Sequence, residues 1–135
     1  MVDGVSTRRA PTVREHLGSR TLRIVAHRGF AAVAPENTLA AVRGAVAAGA
    51  DMVEVDVRMT ADGHLVCLHD TRLERTTTGE GAVHEASLSD LLRLDAGSWF
   101  APRFADQRVP TLAAVLSTLR GHGLLNVEVK SDGEP

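Results

Sequence analysis

The chain has 135 residues, 44% of them hydrophobic and 3% aromatic, with a formal net charge of −2 at pH 7. That length holds one domain around a single core and excludes a second full one, and the near-neutral balance excludes a general electrostatic attraction to nucleic acid or anionic membranes. The one cysteine, Cys67, lies in an apolar run and cannot close an intrachain disulfide, so it reads as a small core side chain compatible with a reducing compartment.

Residues 1–21 mix Gly, Ser, Thr and Arg without periodicity and contain no apolar stretch resembling a signal-peptide core. We read them as a flexible N-terminal arm, with the folded domain over 22–135. No segment has the length and apolarity of a transmembrane span, which places the protein in the cytoplasm as an expectation. LRIVAHRG at 22–29 is apolar and β-branched and closes on Gly29. It predicts a buried strand that delivers His27 and Arg28 at its end. Pro35, Asn37 and Thr38 then supply a turn and a cap, with Asn37 assigned to capping, although a cap at the mouth of a site can also touch substrate. The helix that follows has an apolar stripe through Leu39, Val42 and Val46 and ends at Gly49.

DMVEVDVRM at 51–59 predicts a strand in which residues two apart share a face, so Glu54 and Asp56 point the same way. Asp62-Gly63 turns the chain, and HLVCLHD at 64–70 forms a further strand. A hairpin would set His69 opposite Asp56, and a parallel pairing also leaves His69 near the carboxylates. Residues 71–86 lack a period and read as an ordered loop. Ser87 and Asp90 cap a short helix, and Trp99, Phe100 and Phe104 anchor the loop after it to the core. Pro110 and Thr111 open a helix with an apolar stripe of Leu112, Val115, Leu116 and Leu119, and LLNVEVK at 124–130 is the last strand. Alternating strands and helices argue for an α/β fold with a largely parallel sheet.

The chemistry-bearing residues fall at the ends of these strands, where α/β folds form their sites. Glu54, Asp56 and Glu128 are hard oxygen donors that favour Mg²⁺ or Ca²⁺ over Zn²⁺. The competing reading pairs Glu54 and Asp56 simply with Arg28 and Lys130. His27 and His69 can exchange protons near neutrality, one accepting from a nucleophile and the other donating to a leaving alkoxide. Arg28 and Lys130 can hold a phosphate and offset charge on its free oxygens. His16, His64, His84 and His122 read as solvated. No GxxxxGK[ST] or GxSxG pattern is present, which weighs against nucleotide hydrolysis and serine-esterase chemistry.

The runs AHRGFAAVAPENT, VEVDVRMTADGHLVCLHD, RTTTGEG, LDAGSWF, VPTLAAVL and NVEVK resemble the glycerophosphodiester phosphodiesterases, from about residue 23 to 131. HRG, PENT, ExD, HD and ExK occur in that family's order and spacing. The resemblance implies a TIM-type (β/α) barrel and metal-dependent hydrolysis of glycerophosphodiesters to glycerol 3-phosphate and an alcohol. It implies His27 and His69 as the acid/base pair, Glu54, Asp56 and Glu128 on a divalent cation (Mg²⁺ or Ca²⁺), and Arg28 and Lys130 on the phosphate. It also implies attack by the substrate's own hydroxyl through a cyclic phosphate that water opens. An eight-stranded barrel takes about 250 residues, so the expectation here is roughly its first half. Three outcomes stay open: a fragment of a longer protein, a half-barrel completed by a partner or by self-association, or an inactive remnant that binds phosphate or pairs with another chain. A phospholipase D-like or lysophospholipase D-like hydrolase is the alternative enzyme.

Overall fold

The computed structural model of the chain describes residues 12–18 and 21–131. Most of the arm read over 1–21 lies outside the described residues. Where that segment is described, Thr12 and Glu15 form a reciprocal capping box that starts a one-turn helix, α1 (Val13–Leu17). The domain itself is organised by β2 (Met52–Met59), whose residues from Val53 to Arg58 are all buried. Alternation along the strand separates two environments. Val53, Val55 and Val57 face an apolar core shared with Val42 and Ala45 of α2 (Leu39–Ala47) and Val115 and Leu119 of α4 (Leu112–Leu119). Glu54, Asp56 and Arg58 lie on the other face, as the period of two requires.

On one edge β2 pairs in parallel with β4 (Leu124–Val129), with Asp56 opposite Glu128. Its other edge is shared end to end by two short strands. β1 (Val25–Ala26) is parallel beside Met52 and Val53, and β3 (Leu65–Cys67) is antiparallel beside Val57 to Met59. The sheet is therefore mixed, and the 58–65 connection is a hairpin.

The hairpin register differs by one residue from the expected one. A two-residue Asp62-Gly63 turn would put His69 opposite Asp56. Instead the backbone N–H of Thr60 donates to the His64 carbonyl, leaving three residues in the loop, and Leu68 takes the place opposite Asp56 by donating to its carbonyl. Thr60 donates its hydroxyl to Asp62, and Gly63 at φ 81° completes the reversal.

The first strand is also shorter and more open than its apolarity predicts. Leu22 is 93% exposed, and Ile24 and Val25 are exposed, because β2 alone flanks this segment among the described residues. His27 and Arg28 follow the strand in a turn: Arg28 has φ 58° and Gly29 φ 77°. Gly29 donates its N–H toward the carbonyls of Ala26 and Glu54 and lies against the backbone of α2.

Thr38, not Asn37, caps α2, its hydroxyl accepting from the Ala41 N–H; Gly49 at φ 81° follows the helix. In the same way Ser87 caps α3 (Leu88–Leu91) and Thr111 caps α4. Leu116, read into the apolar stripe of α4, is exposed, since its neighbours Val115 and Leu119 already fill the contact with α2 and the sheet. A second core gathers Val66, Leu68, Leu73, Val83, Leu91, Ala96 and Val109 beneath the long loops. Trp99 is exposed at the edge of those loops, stacked edge-to-face on Phe100 and donating its indole N–H to Ala96, so it pins its own loop instead of entering the core. Cys67 is buried and free, as expected, and burial pushes its thiol up to about 12. No described helix is long and apolar enough to cross a membrane.

Gly29 is the tightest backbone constraint beside the site. A Cβ there would stand 2.6 Å from the Ala41 carbonyl carbon, at a φ that disfavours any side chain. Gly29→Ala is expected to cost about 2–4 kcal/mol, read as a lowered urea midpoint with unchanged m-value.

Candidate active site

β2 and β4 contribute the acidic centre. Because the register sets Asp56 opposite Glu128, ligand oxygens of Glu54, Asp56 and Glu128 lie within 4.8 Å of one another. Glu54 and Asp56 are buried, whereas the Glu128 side chain is 49% exposed, so the cluster opens to one side. Burial pushes the Glu54 carboxyl up from its ordinary value, and the like charges of Asp56 and Glu128 add to this, against the opposing pull of the Arg28 N–H and His27. Glu128 is held low by its hydrogen bond from Lys130 Nζ at 2.5 Å, and Lys130 is correspondingly raised.

Each buried carboxylate is satisfied on one oxygen only. Glu54 Oε2 accepts the Arg28 backbone N–H at 2.9 Å. Asp56 Oδ2 accepts from Asn37 Nδ2 at 2.9 Å and lies 3.3 Å from Arg28 Nε. Glu54 Oε1 and Asp56 Oδ1 are buried with no hydrogen-bond partner, and the latter forms a longer ion pair with Lys130 Nζ at 3.6 Å. Buried anionic oxygens left unpaired are costly. Two of them beside a third carboxylate fit a hard divalent cation with oxygen ligands.

Both histidines reach the rim, differently held. His69 Nδ1 is 2.7 Å from Asp70 Oδ1. His27 is 68% exposed, with Nε2 3.8 Å from Glu54 Oε2. Arg28 is turned inward by its left-handed backbone: its N–H goes to Glu54, Nε lies beside Asp56, and one terminal nitrogen donates to Glu36 at 3.0 Å. All seven residues anticipated for the site therefore converge, from the turn after β1, the middle of β2, the end of β4 and the segment after β3. His64 and the exposed His84 and His122 do not join them, and the side chain of His16 is outside the described residues.

Three further positions build the site: Arg58 and Arg75 were not anticipated, and Asn37 acts differently from its expected role. Asn37, expected as a cap, instead takes φ 58° and brackets Asp56, its amide nitrogen donating to the carboxylate and its oxygen accepting the Asp56 N–H at 3.1 Å. Arg58, one step beyond Asp56 on the same face and 2% exposed, donates to the carbonyls of His69 and Ser131, each at 2.8 Å. It thus ties the segment bearing His69 to the end of β4. Arg75, from the 71–86 loop, grips both Asp70 and Glu36. Same-face spacing with Glu54 and Asp56 was the available signal for Arg58, and PENT and HD contain Glu36, Asn37 and Asp70.

Arg75, with help from His69, holds the Asp70 carboxyl well below the usual range. Burial pushes Glu36 up, but Arg75 and Arg28 outweigh it and its carboxyl is lowered. Both groups bind fewer protons folded than unfolded. Their contribution is therefore complete above the unfolded values, near 3.8 and 4.5, and is lost as pH falls through the lower folded values. The stability gap between the native chain and Arg75→Met is expected to be about 1–2 kcal/mol at pH 7, to persist at pH 5.5, and to close toward pH 2 in urea titrations.

The profile of the glycerophosphoryl diester phosphodiesterase family matches residues 27–134. The glycerophosphodiester phosphodiesterase of Caldanaerobacter subterraneus is 46% identical over 109 residues, 80% of this chain and 45% of the relative. The crystal structure of the glycerophosphodiester phosphodiesterase from Agrobacterium tumefaciens superposes with a TM-score of 0.80 at 47% identity, covering 82% of this chain and 48% of that one. An Oleispira antarctica phosphodiesterase, solved in complex with the product sn-glycerol-3-phosphate, superposes at 0.78 with 40% identity, over 81% and 44%. The chain spans about half the length of the curated relatives it matches. What is folded here is the corresponding part of a TIM-type (β/α) barrel. The chain belongs to the glycerophosphoryl diester phosphodiesterase family.

Proposed function

We propose that this chain carries the acid/base, metal and phosphate residues of a phosphodiesterase that hydrolyses glycerophosphodiesters to glycerol 3-phosphate and an alcohol. The observation that carries the reading is the pair of buried oxygens of Glu54 and Asp56 that accept no hydrogen bond, facing Glu128 and flanked by Arg28 and Lys130. Glu54, Asp56 and Glu128 would hold the cation, with Mg²⁺ or Ca²⁺ as the matching hard ions. When bound, such an ion polarises a phosphoryl oxygen and offsets its charge.

The chain's own groups supply the rest. Arg28 and Lys130 stand on either side of Asp56 and can each donate to a non-bridging phosphoryl oxygen, stabilising charge that builds there. His27 and His69 divide the proton transfers: one imidazole takes the proton of the attacking hydroxyl, and the other returns one to the alkoxide that leaves. A free hydroxyl of the substrate's glycerol serves as first nucleophile, and water then opens the resulting cyclic phosphate with the roles of the two imidazoles reversed. The Asp70 carboxylate on His69 Nδ1 leaves Nε2 as that ring's exchanging nitrogen.

His27 and Glu128 are exposed, and the flanking apolar residues Ile24, Val25 and Val129 are exposed with them. These open edges support a site whose alcohol-binding side is completed by further strands, from a longer chain or a second copy. A cytoplasmic location fits the free buried thiol of Cys67.

The test is release of glycerol 3-phosphate from glycerophosphocholine with Mg²⁺, Ca²⁺ or EDTA, with mass followed by light scattering. Chelator-sensitive turnover is expected, and Glu54→Ala or Asp56→Ala should lower it about 100-fold or more while the circular dichroism spectrum is kept. Undiminished turnover in these variants would overturn the metal assignment. A folded chain that turns over with neither cation, in any state of assembly, would overturn the activity for this chain.

A further inference from the structure

The guanidinium of Arg75 makes two forked grips at once. Nε and one terminal nitrogen donate to the two oxygens of Asp70 at 2.6 and 2.8 Å, and both terminal nitrogens donate to Glu36 at 3.1 and 2.7 Å. Each carboxylate then reaches one functional side chain. Asp70 Oδ1 meets His69 Nδ1 at 2.7 Å, and Glu36 Oε1 accepts from Arg28 at 3.0 Å. Arg28 continues to Asp56. An unbroken polar chain, His69–Asp70–Arg75–Glu36–Arg28–Asp56, thus joins the segment after β3 to the turn after β1. In the described backbone those segments approach from opposite ends of one sheet edge, with no strand pairing between them.

We propose that Arg75 is a positioning residue that couples the two sides of the site, setting the His69 imidazole through Asp70 and the Arg28 guanidinium through Glu36. This rests on the reading of the site given above. The side chain is 45% exposed, and an exposed ion pair stabilises a fold little; what two planar forks supply is direction. An imidazole whose Nδ1–H is donated to a carboxylate is restricted to one neutral tautomer, with Nε2 free to exchange a proton. A guanidinium held at one terminal nitrogen keeps its remaining donors aimed at the carboxylate cluster and whatever anion binds there. Lysine in place of Arg75 would preserve the charge but could not grip both carboxylates in two forks.

The coupling is read in the ¹⁵N-labelled 135-residue chain without substrate, at about pH 8, where ordinary imidazoles are neutral. Long-range ¹H–¹⁵N correlations report the His69 tautomer, and solvent exchange of the Arg28 Nε–H reports how firmly that side chain is held. In Arg75→Met the Nδ1–H tautomer of His69 is expected to fall by half or more. Arg28 exchange is expected to rise about tenfold. Arg75→Lys should recover less than half of either change. Asp70→Asn should alter His69 with little effect on Arg28, and Glu36→Gln the reverse. Unchanged signals in folded Arg75→Met, or a change on one side only, would overturn the proposal. If Arg75→Met does not fold, Arg75→Lys carries the same two readouts, and unchanged or one-sided signals there overturn the proposal equally. Neither readout needs turnover, so a chain that shows both changes but hydrolyses nothing counts against the reaction and in favour of the brace. Where turnover is measured, Arg75→Met should lower kcat about tenfold and raise KM, while Asp70→Asn lowers kcat alone.

Discussion

A strand buried on both faces with charge along one of them sets the terms for everything around it. On its valine face β2 needs only apolar partners, and α2 and α4 provide them. On the other face Glu54, Asp56 and Arg58 have left water, and each requires a partner whose position the rest of the chain must secure. The turn after β1 brings the Arg28 N–H to Glu54, the loop before α2 brings the Asn37 amide to Asp56, and Arg58 finds the carbonyls of His69 and Ser131. Three connections are thereby tied to one strand.

This arrangement explains why backbone geometry is unusual where it is. Arg28 and Asn37 both have φ 58°, a region that non-glycine residues seldom occupy, and both have side chains or N–H groups bonded to the buried carboxylates. Gly29, squeezed against α2, lets the chain turn sharply enough for Arg28 to point back at β2. Local strain, close packing and the acidic centre belong to one device. It leaves two buried carboxylate oxygens, Glu54 Oε1 and Asp56 Oδ1, without a hydrogen bond.

Around that centre the loops do ordered work. The 71–86 segment is fixed by its own hydrogen bonds, including the Leu73 N–H to Gly81 and the Thr77 hydroxyl to Leu73, and so presents Arg75 from a defined base. The opposite side is open. Glu128, His27 and the apolar residues beside them face outward, and the relatives that match this chain are about twice as long. The half described here contains the acidic cluster of Glu54, Asp56 and Glu128 with Arg28 and Lys130 beside it.

Much of this is legible in the amino-acid sequence. Alternation in VEVDV requires Glu54 and Asp56 to share a face, the valines require the other face to be buried, and Thr111 and Ser87 announce their helices by capping chemistry that acts within three residues. Motif order is enough to indicate the family. The departures come where a local rule meets a distant partner. Asn37 resembles a cap because capping is local, but the buried carboxylate of Asp56 is the stronger claimant and Thr38 takes the cap. The hairpin slips by one residue because Thr60 and Asp62 hydrogen-bond inside the loop, and Leu22, Ile24 and Val25 are exposed because burial depends on a neighbour that an apolar run cannot specify. Period, capping and residue type act over a few positions, so they specify which residues can carry the chemistry and on which elements they lie. The fold adds that Asp56 faces Glu128, that two buried oxygens accept no hydrogen bond, and that Arg75 spans the site. Those are contacts between residues far apart in sequence, fixed by register and packing.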